Sequence, residues 1–370
     1  MSQYLKSYQV ELRTVGPVFI GSGKEISKKE YIFLENKRIG ILDIERLYFY
    51  LVKKRKEKEF EKYLLYDVRN DLTDWIKKQG IKRTEIKPFI KYMLDCGDSV
   101  VEQKSKLQVM ECIKDAYGNP YVPGSSLKGM FRTVLLSADI IKNSQKYQRE
   151  KSELREDVEI SASRTSYLKQ DIEAVEGKAF RTLNREETRP RDAVNDILQG
   201  VIFSDSNPLD VKQLALCQRI ELHTDGTEKR LPLLRECIKP DMKICFTITI
   251  DRSICKLTAK QLMQAVKLFG ENYYQNFACA FRNADMLRDN EVLLGGGCGF
   301  VSKTIIYPMF GKKEGIRVTK NIFDKTKVPR EHKHNKDEIY GASPHIMKCT
   351  CYQGRTMPMG ICRIKRIVQE

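Results

Sequence analysis

The pattern of apolar and polar residues in several short segments predicts β-strands, and the FTITI core of the last of them alternates with a period of two. These segments are residues 4–15, 30–42, 106–113, 201–206, 219–224 and 237–251. Asn36 and Lys37 interrupt the second segment and predict a hairpin turn there.

Helical spacing separates these strands. Residues 43–79 carry charge pairs four positions apart, such as Lys53 and Glu57. Residues 258–281 begin with Thr258 as a candidate N-cap and place Leu262 and Phe269 on one apolar face. The order of elements predicts an α+β fold with helices on one face of the sheets, built from two ferredoxin-like units.

Residues 142–199 differ in composition. They hold twelve Lys or Arg and twelve Asp or Glu, with few aromatic residues and little periodicity. This composition is typical of an insertion that is at least partly flexible. We therefore predict an N-terminal unit at 1–141, a flexible insertion at 142–199 and a C-terminal unit at 200–370.

The charge balance narrows the class of partner. The formal net charge is +17, and the last seventy residues contribute fifteen Lys or Arg against six Asp or Glu. Such a surface attracts polyanions, nucleic acid first. The sequence predicts no membrane partner, because it has neither a signal peptide pattern nor an apolar run of about 20 residues. Eleven scattered cysteines predict a reducing cytoplasm rather than a disulfide framework.

The segment Gly124–Gly129, GSSLKG, has the glycine spacing of a nucleotide-binding P-loop. Met130 and Phe131 stand where that motif needs Lys and Ser or Thr, so ATP binding is excluded. The segment instead predicts a helix start, capped by Ser125 or Ser126, with Lys128 and Arg132 beside it. Such a helix start accepts a phosphate, although an ordinary capped helix with two surface cations fits equally well.

A second glycine-rich segment, GGGCGFVSK, spans residues 295–303 and ends in Lys303. Many glycines allow backbone amides to approach a sugar–phosphate chain closely. A β-bulge or tight turn is the alternative. Two such segments and the high positive charge favour a long anionic polymer over a single nucleotide.

The segment YVPGSSLKGMFR resembles the I-P-G-[ST]-S-[LI]-K-G-x-x-R signature of the RAMP superfamily, the repeat-associated proteins of CRISPR systems. Further segments resemble the subunit that caps the 3′ end of the guide RNA in the type III-A, or Csm, effector complex. They are VGPVFIGSGKE, VIFSDS, LPLLRECIKPDMKICFTITID, LLGGGCGF and MPMGICRIKRI.

The resemblance implies RRM-like folds on a ferredoxin-like sheet. It also implies backbone contacts to guide RNA and, within the complex, to target RNA, with a repeating backbone subunit and a small helical subunit as neighbours. The RNA-binding residues it implies are Gly124, Ser125, Ser126, Lys128, Arg132, Gly295, Gly296, Gly297, Gly299 and Lys303. Weaker candidates are Lys24 and the arginines of a thumb-like insertion, Arg185, Arg189 and Arg191.

The resemblance implies no cofactor and no chemistry for this chain. The backbone subunit of such complexes cuts target RNA with an aspartate in its early loop, and residues 21–41 contain no aspartate. Glu25 and Glu30 lie there, but a lone carboxylate on a loop is usually only solvated. We therefore expect a non-catalytic binding subunit.

Two alternatives remain open. One is a RAMP endoribonuclease that processes precursor guide RNA by metal-independent acid–base chemistry, with His223 as the candidate. The other is a zinc module from the C-terminal residues His332, His334, His345, Cys349, Cys351 and Cys362. Their spacing is not that of common structural zinc sites, so we predict no metal.

Overall fold

The computed structural model describes residues 4–100, 108–160, 167–282 and 284–370, with only the backbone of Arg330. Its strands are β1 (Leu5–Thr14), β2 (Gly21–Ile26), β3 (Tyr31–Leu34), β4 (Arg38–Leu42), β5 (Ile90–Cys96), β6 (Val109–Cys112), β7 (Val201–Phe203), β8 (Leu214–His223), β9 (Glu228–Ile238), β10 (Lys243–Asp251), β11 (Glu291–Leu293), β12 (Ile346–Tyr352), β13 (Arg355–Pro358) and β14 (Ile361–Gln369). Its helices are α1 (Ile44–Lys53), α2 (Glu57–Tyr66), α3 (Leu72–Lys78), α4 (Arg83–Ile86), α5 (Gly124–Lys142), α6 (Gln148–Ile160), α7 (Lys169–Phe180), α8 (Ala259–Asn276), α9 (Ile306–Lys325) and α10 (Asp337–Tyr340).

A five-stranded antiparallel sheet carries the strand order β11-β14-β1-β10-β7. Along the chain, β1, α5, β7, β10, α8 and β14 follow one another as βαββαβ, the ferredoxin-like succession. The alternation of Val10 and Leu12 in β1 with Phe246 and Ile248 in β10 places an apolar face towards the core. The predicted α+β, ferredoxin-like class is confirmed.

The second sheet has nine strands, seven of them in the order β2-β6-β9-β8-β5-β4-β3. Strand β12 pairs with the later part of β8, and β13 pairs with β12. Both sheets contain strands from either side of residues 142–199. The boundaries at 141/142 and 199/200 therefore do not separate the two sheets, and they stay a prediction about chain organisation.

The main core lies between the sheets and the long helices. Helices α5, α8 and α9 pack against one another. Leu127 and Phe131 of α5 and Val266 and Phe269 of α8 are buried in this core. Thr258 caps α8, because its side chain accepts a hydrogen bond from the Gln261 amide at 3.2 Å. The predicted cap and apolar face of α8 are therefore confirmed.

Helices α1 to α4 form a smaller cluster on the outer end of the nine-stranded sheet. The rings of Phe60, Tyr63 and Trp75 pack together with centroids 4.9–6.0 Å apart, and they contact Ile32 and Leu42 of β3 and β4. The hairpin before them turns at Asn36 and Lys37, both with positive φ, as the sequence predicts.

The segment 142–199 is more regular than its sequence indicates. Helices α6 and α7 occupy much of it, and its buried side chains Leu154, Val158, Val175 and Phe180 belong to the main core. These four are the only buried side chains within the two described helices, and the charged residues around them obscure the helical periodicity of the sequence. Residues 161–166 of this segment lie outside the described residues.

Among the described residues, no helix is both long enough and apolar enough to cross a membrane.

Candidate nucleic-acid interface

The GSSLKG segment forms the first turn and a half of α5. Pro123 is the N-cap and α5 begins at Gly124, so Ser125 and Ser126 lie inside the helix and do not cap it, which corrects the predicted cap. The amide of Gly124 instead donates to the Asp205 carboxylate at 2.7 Å. A Cβ on Gly124 would lie 2.2 Å from the carbonyl oxygen of Phe203. Gly124 therefore permits close packing of α5 against β7.

Lys128 and Arg132 bind the protein's own chain. The Lys128 ammonium donates to the carbonyl oxygens of Leu198 and Val201 at 2.7 and 2.9 Å. The Arg132 guanidinium donates to Asp196 at 2.7 Å and to Glu176 at 2.9 Å. Burial alone lowers the pKa of Arg132, but these two carboxylates outweigh it and raise the pKa. Both cations thus connect α5 to residues between 176 and 201. An RNA contact by either cation stays a prediction.

The predicted thumb arginines lie on a loop organised by one buried amide. Asn195 is 1% exposed. Its side chain accepts hydrogen bonds from the amides of Arg185 and Glu186 and donates to the carbonyl oxygens of Glu186 and Arg189 at 3.0–3.1 Å. Arg185, Arg189 and Arg191 are exposed. We call residues 185–191 the arginine loop.

The glycine-rich segment 295–299 follows β11 and packs on Phe19. The amide of Gly296 donates to the Phe19 carbonyl oxygen at 2.7 Å. A Cβ on Gly295 would lie 2.3 Å from that same oxygen, and the backbone there has a φ of +87°. Gly299 also has positive φ, but a Cβ added there would meet no atom within 4 Å, so Gly299 borders open space. Lys303 is exposed at the end of the short 3₁₀ turn that follows.

The structure does not bring the two glycine segments together. Gly124 packs against β7, at one edge of the five-stranded sheet, and Gly295 follows β11, at the other edge. Three strands lie between them. Lys24 is exposed on β2 of the other sheet. Glu25 is exposed on the same strand, and Glu30 accepts a hydrogen bond from the Ser27 amide at 2.8 Å, a turn-stabilising role.

Beneath the glycine-rich segment lie three cations that sequence reasoning missed: Arg219 on β8, Arg235 on β9 and Lys348 on β12. We call them the cation cluster. Arg235 pairs with Cys217 in register, and Lys348 pairs with Glu221, which places both on the face of β8 that carries Cys217 and Glu221. A Cβ on Gly297 would lie 3.4 Å from Nη1 of Arg235. The one sequence signal was an arginine inside the apolar strand LPLLRECI.

The cation cluster is short of negative charge. Arg219 donates to Glu221 at 2.6 Å, and within the described residues neither Arg235 nor Lys348 has a carboxylate within salt-bridge distance. Nε of Arg219 and both Nε and Nη1 of Arg235 are buried with no hydrogen-bond partner in the described parts of the chain. Burial, with Arg219 and Arg235 nearby, lowers the pKa of Lys348 to about 8.

The four histidines lie in one row. Ring centroids are 5.7 Å apart for His223 and His345, 5.4 Å for His345 and His334, and 5.9 Å for His334 and His332. Burial and His345 lower the pKa of His223, so its ring is neutral near pH 7.

Buried Asp337 joins two of these histidines. Its carboxylate contacts Nδ1 of His334 at 3.1 Å and Nδ1 of His345 at 2.5 Å, and it accepts from Ser343 at 2.5 Å. Burial tends to raise the pKa of Asp337, but these hydrogen bonds outweigh it and hold the pKa below its usual value. Within the described ranges, His334, Asp337 and His345 are the only group close enough to hold a metal ion. The cysteines of the proposed zinc module are not part of it.

Comparison with known proteins finds relatives whose sequences align with most or nearly all of this chain. The protein named CRISPR system Cms protein Csm5 of Mycobacterium tuberculosis is 29% identical over 98% of both chains. The protein of the same name from Streptococcus thermophilus is 26% identical over 89% of this chain and 90% of its own.

Solved structures share the fold at low sequence identity. A chain in the cryo-EM structure of a Csm–crRNA–target RNA ternary complex of a type III-A CRISPR-Cas system matches with a TM-score of 0.64 and 18% identity, over 97% of this chain and all of that one. The crystal structure of T. onnurineus Csm5 matches with a TM-score of 0.58 and 17% identity, over 95% and 99%.

The model of the RAMP superfamily matches residues 11–336, from within β1 to a point beyond α9. The matched range includes the GSSLKG helix start, the glycine-rich segment and most strands of both sheets, so the resemblance seen in the sequence is confirmed. The chain belongs to the RAMP superfamily.

Proposed function

We propose that this chain is a non-catalytic subunit of a type III-A CRISPR effector, the Csm complex, and that it binds the 3′ region of the guide RNA through the sugar–phosphate backbone. In this proposal it caps the filament of repeating backbone subunits, contacts the small helical subunit and lies near the target RNA. The full-length likeness to proteins named Csm5 supports the assignment to the complex. The eleven cysteines, all free, are typical of a reducing cytoplasm.

The observation that carries the RNA-binding part is the glycine-rich segment. Its backbone is held in positive φ at Gly295, Gly297 and Gly299, and at Gly299 no side chain fills the space in front of it. Lys303 is exposed one turn later, and three cations lie underneath. Backbone amides and cations suit phosphates and carry no information about base sequence, which fits a guide whose sequence varies.

The test is purification of the protein from its host under native conditions, with sequencing of bound RNA and mass spectrometry of bound proteins. We expect short RNAs with a common 5′ tag and variable bodies, together with several other subunits. A matched purification of an unrelated basic protein of similar size controls for charge alone. Recovery of the protein without RNA and without partners would contradict the proposal.

A second candidate function is metal-independent cleavage of precursor guide RNA. The row of four histidines favours it, because His332 and His334 line the same cavity as Arg219 and Lys348, and general acid–base cleavage of RNA needs such groups. The test is incubation of purified protein with repeat RNA in EDTA. Cleavage that is abolished in His223→Ala or His334→Gln would support this function, and intact RNA would exclude it.

A further inference from the structure

The cavity beneath the glycine-rich segment has polar and apolar walls. It encloses about 280 Å³. Arg219 and Lys348 line one part, Gly299 and Phe300 the loop side, and Phe277 and Phe323 the apolar side. At Gly299, which is part of this lining, an added Cβ would meet no atom within 4 Å.

Positive charge exceeds negative charge at this cavity: Arg219 and Lys348 line it, and Arg235 lies beside them. Arg219, Arg235 and Lys348 bring three positive charges to one face of β8, β9 and β12, and Glu221 brings one negative charge. A buried cation without a partner is strongly unfavourable in free energy, so proteins normally pair it. Arg235 is only 8% exposed, and its Nε and Nη1 have no hydrogen-bond partner in the described parts of the chain. Its guanidinium lies 5.2 Å from the ring centroid of Phe19, which does not supply the missing negative charge.

The missing partner must be an anion that accepts several hydrogen bonds. The Arg219 guanidinium and the Lys348 ammonium match the oxygens of a phosphate, which accept charge-assisted bonds from several directions at once, and the charge of Arg235 adds to the attraction. Glycine backbone in the lining, at Gly299, lets a chain carrying that phosphate come close. A carboxylate ligand would satisfy fewer of these donors.

We infer that this cavity is a binding site for one phosphate group of the RNA, held by Arg219 and Lys348 beneath the glycine-rich segment, with the positive charge of Arg235 beside them. The inference rests on the proposed RNA-binding function and assigns one anchoring point within it. The site differs from the sequence-derived residues Lys128 and Arg132, which lie by the opposite edge of the five-stranded sheet.

The titration of Lys348 allows RNA binding at this cavity to be tested through its pH dependence. Arg219, Glu221, Arg235 and Cys298 surround it, and His332 and His334 line the same cavity. Arginines stay charged, and burial raises the pKa of Cys298 to about 12. Lys348 has a pKa of about 8, so it loses its charge between pH 7 and 9.

The experiment measures affinity of the full chain for a single-stranded RNA of adenosines and cytidines, whose bases do not titrate in this range. We expect wild-type affinity to fall about fivefold to tenfold from pH 7 to pH 9 as one cation is lost. Lys348→Met should bind about tenfold more weakly at pH 7 and lose this pH dependence. Lys58→Met, which removes an exposed cation on α2, should keep both. A Lys348→Met protein that behaves like Lys58→Met would overturn the inference.

Two further experiments distinguish a phosphate site for RNA from a site for small anions. Arg219→Gln, with exposed Arg83→Gln as its control, repeats the test without changing Lys348. Inorganic phosphate, compared with chloride at equal ionic strength, should raise the melting temperature of the wild type more than that of Lys348→Met. Wild-type protein that binds phosphate but no RNA would make this a small-anion site and exclude the RNA assignment. RNA binding that neither Lys348→Met nor Arg219→Gln alters would leave the proposed function standing and reject this pocket.

Discussion

At the scale of single residues, two arginines differ in whether carboxylates of the protein pair with them. Arg132 and Arg235 are both arginines within apolar surroundings. Arg132 has two carboxylates at 2.7 and 2.9 Å, so its charge is neutralised inside the protein. Arg235 has no such partner, so no carboxylate in the described residues neutralises its charge. The local sequence does not distinguish the two cases.

The Arg132 contacts predict a structural effect. Arg132→Ala leaves Asp196 and Glu176 partly buried without their cation, which should lower the free energy of unfolding by about 2–4 kcal/mol. Arg149→Ala, which removes an exposed pair with Glu153 on α6, should leave the free energy of unfolding almost unchanged. Urea denaturation of both variants measures the difference. Equal stability of Arg132→Ala and wild type would show that Arg132 is not a structural tie and would favour a direct RNA contact.

Lys348 predicts a pH dependence of stability. Its pKa is about 8 in the folded protein, against 10.5 as the ordinary value, so the unfolded chain binds more protons between these pH values. Stability therefore rises with pH across this interval. At pH 7, Lys348→Met should be more stable than wild type by about 1–2 kcal/mol, an estimate reduced for partial exposure. Thermal denaturation at pH 7, 8, 9 and 10 should show the difference shrinking; a constant difference would contradict the assigned pKa.

At the scale of elements, strands with clean alternation and the helical character of residues 43–79 were predictable, and helices α6 and α7 were not. Thr258 and the apolar face of α8 are local signals, and they gave the correct helix. Helices α6 and α7 bury only a few residues in a background of balanced charge, so their existence depends on the core offered by α5 and α9. Tertiary packing outweighs weak local periodicity there.

The arginine loop gives a prediction at this scale. Asn195→Ala removes four hydrogen bonds to residues 185, 186 and 189 while it leaves every arginine in place. If the arginine loop contacts RNA, affinity should fall about threefold to tenfold because the ordering of the loop must then accompany binding. Hydrogen exchange of residues 185–191 and RNA titration are measured together. Faster exchange with unchanged affinity would remove the arginine loop from the interface. Asn143→Ala, on the exposed end of α5, is the control.

At the scale of the whole molecule, the net charge of +17 predicts a salt-dependent interaction with RNA. If about six phosphates are contacted, log affinity should fall against log salt concentration with a slope near −4. RNAs of unrelated sequence should bind alike, because phosphate contacts carry no base information. Filter binding at four salt concentrations with two RNAs measures both. A slope near zero would contradict the electrostatic basis of binding, and a strong preference for one sequence would contradict backbone recognition.

The sequence by itself determined the α+β class, the strands with period two, the caps and turns at Thr258 and Asn36, the positive charge and the family signature around Gly124. The caps, turns, strands and family signature are readable from a few neighbouring residues, and the charge and the fold class are sums over such local properties. Only the tertiary structure decided which cations have internal partners. Lys128 and Arg132 meet partners between residues 176 and 201, whereas Arg219, Arg235 and Lys348 come together from three paired strands. Arg219 and Lys348 come together because β8 and β12, more than a hundred residues apart in sequence, pair with each other. No local sequence pattern indicates such a pairing.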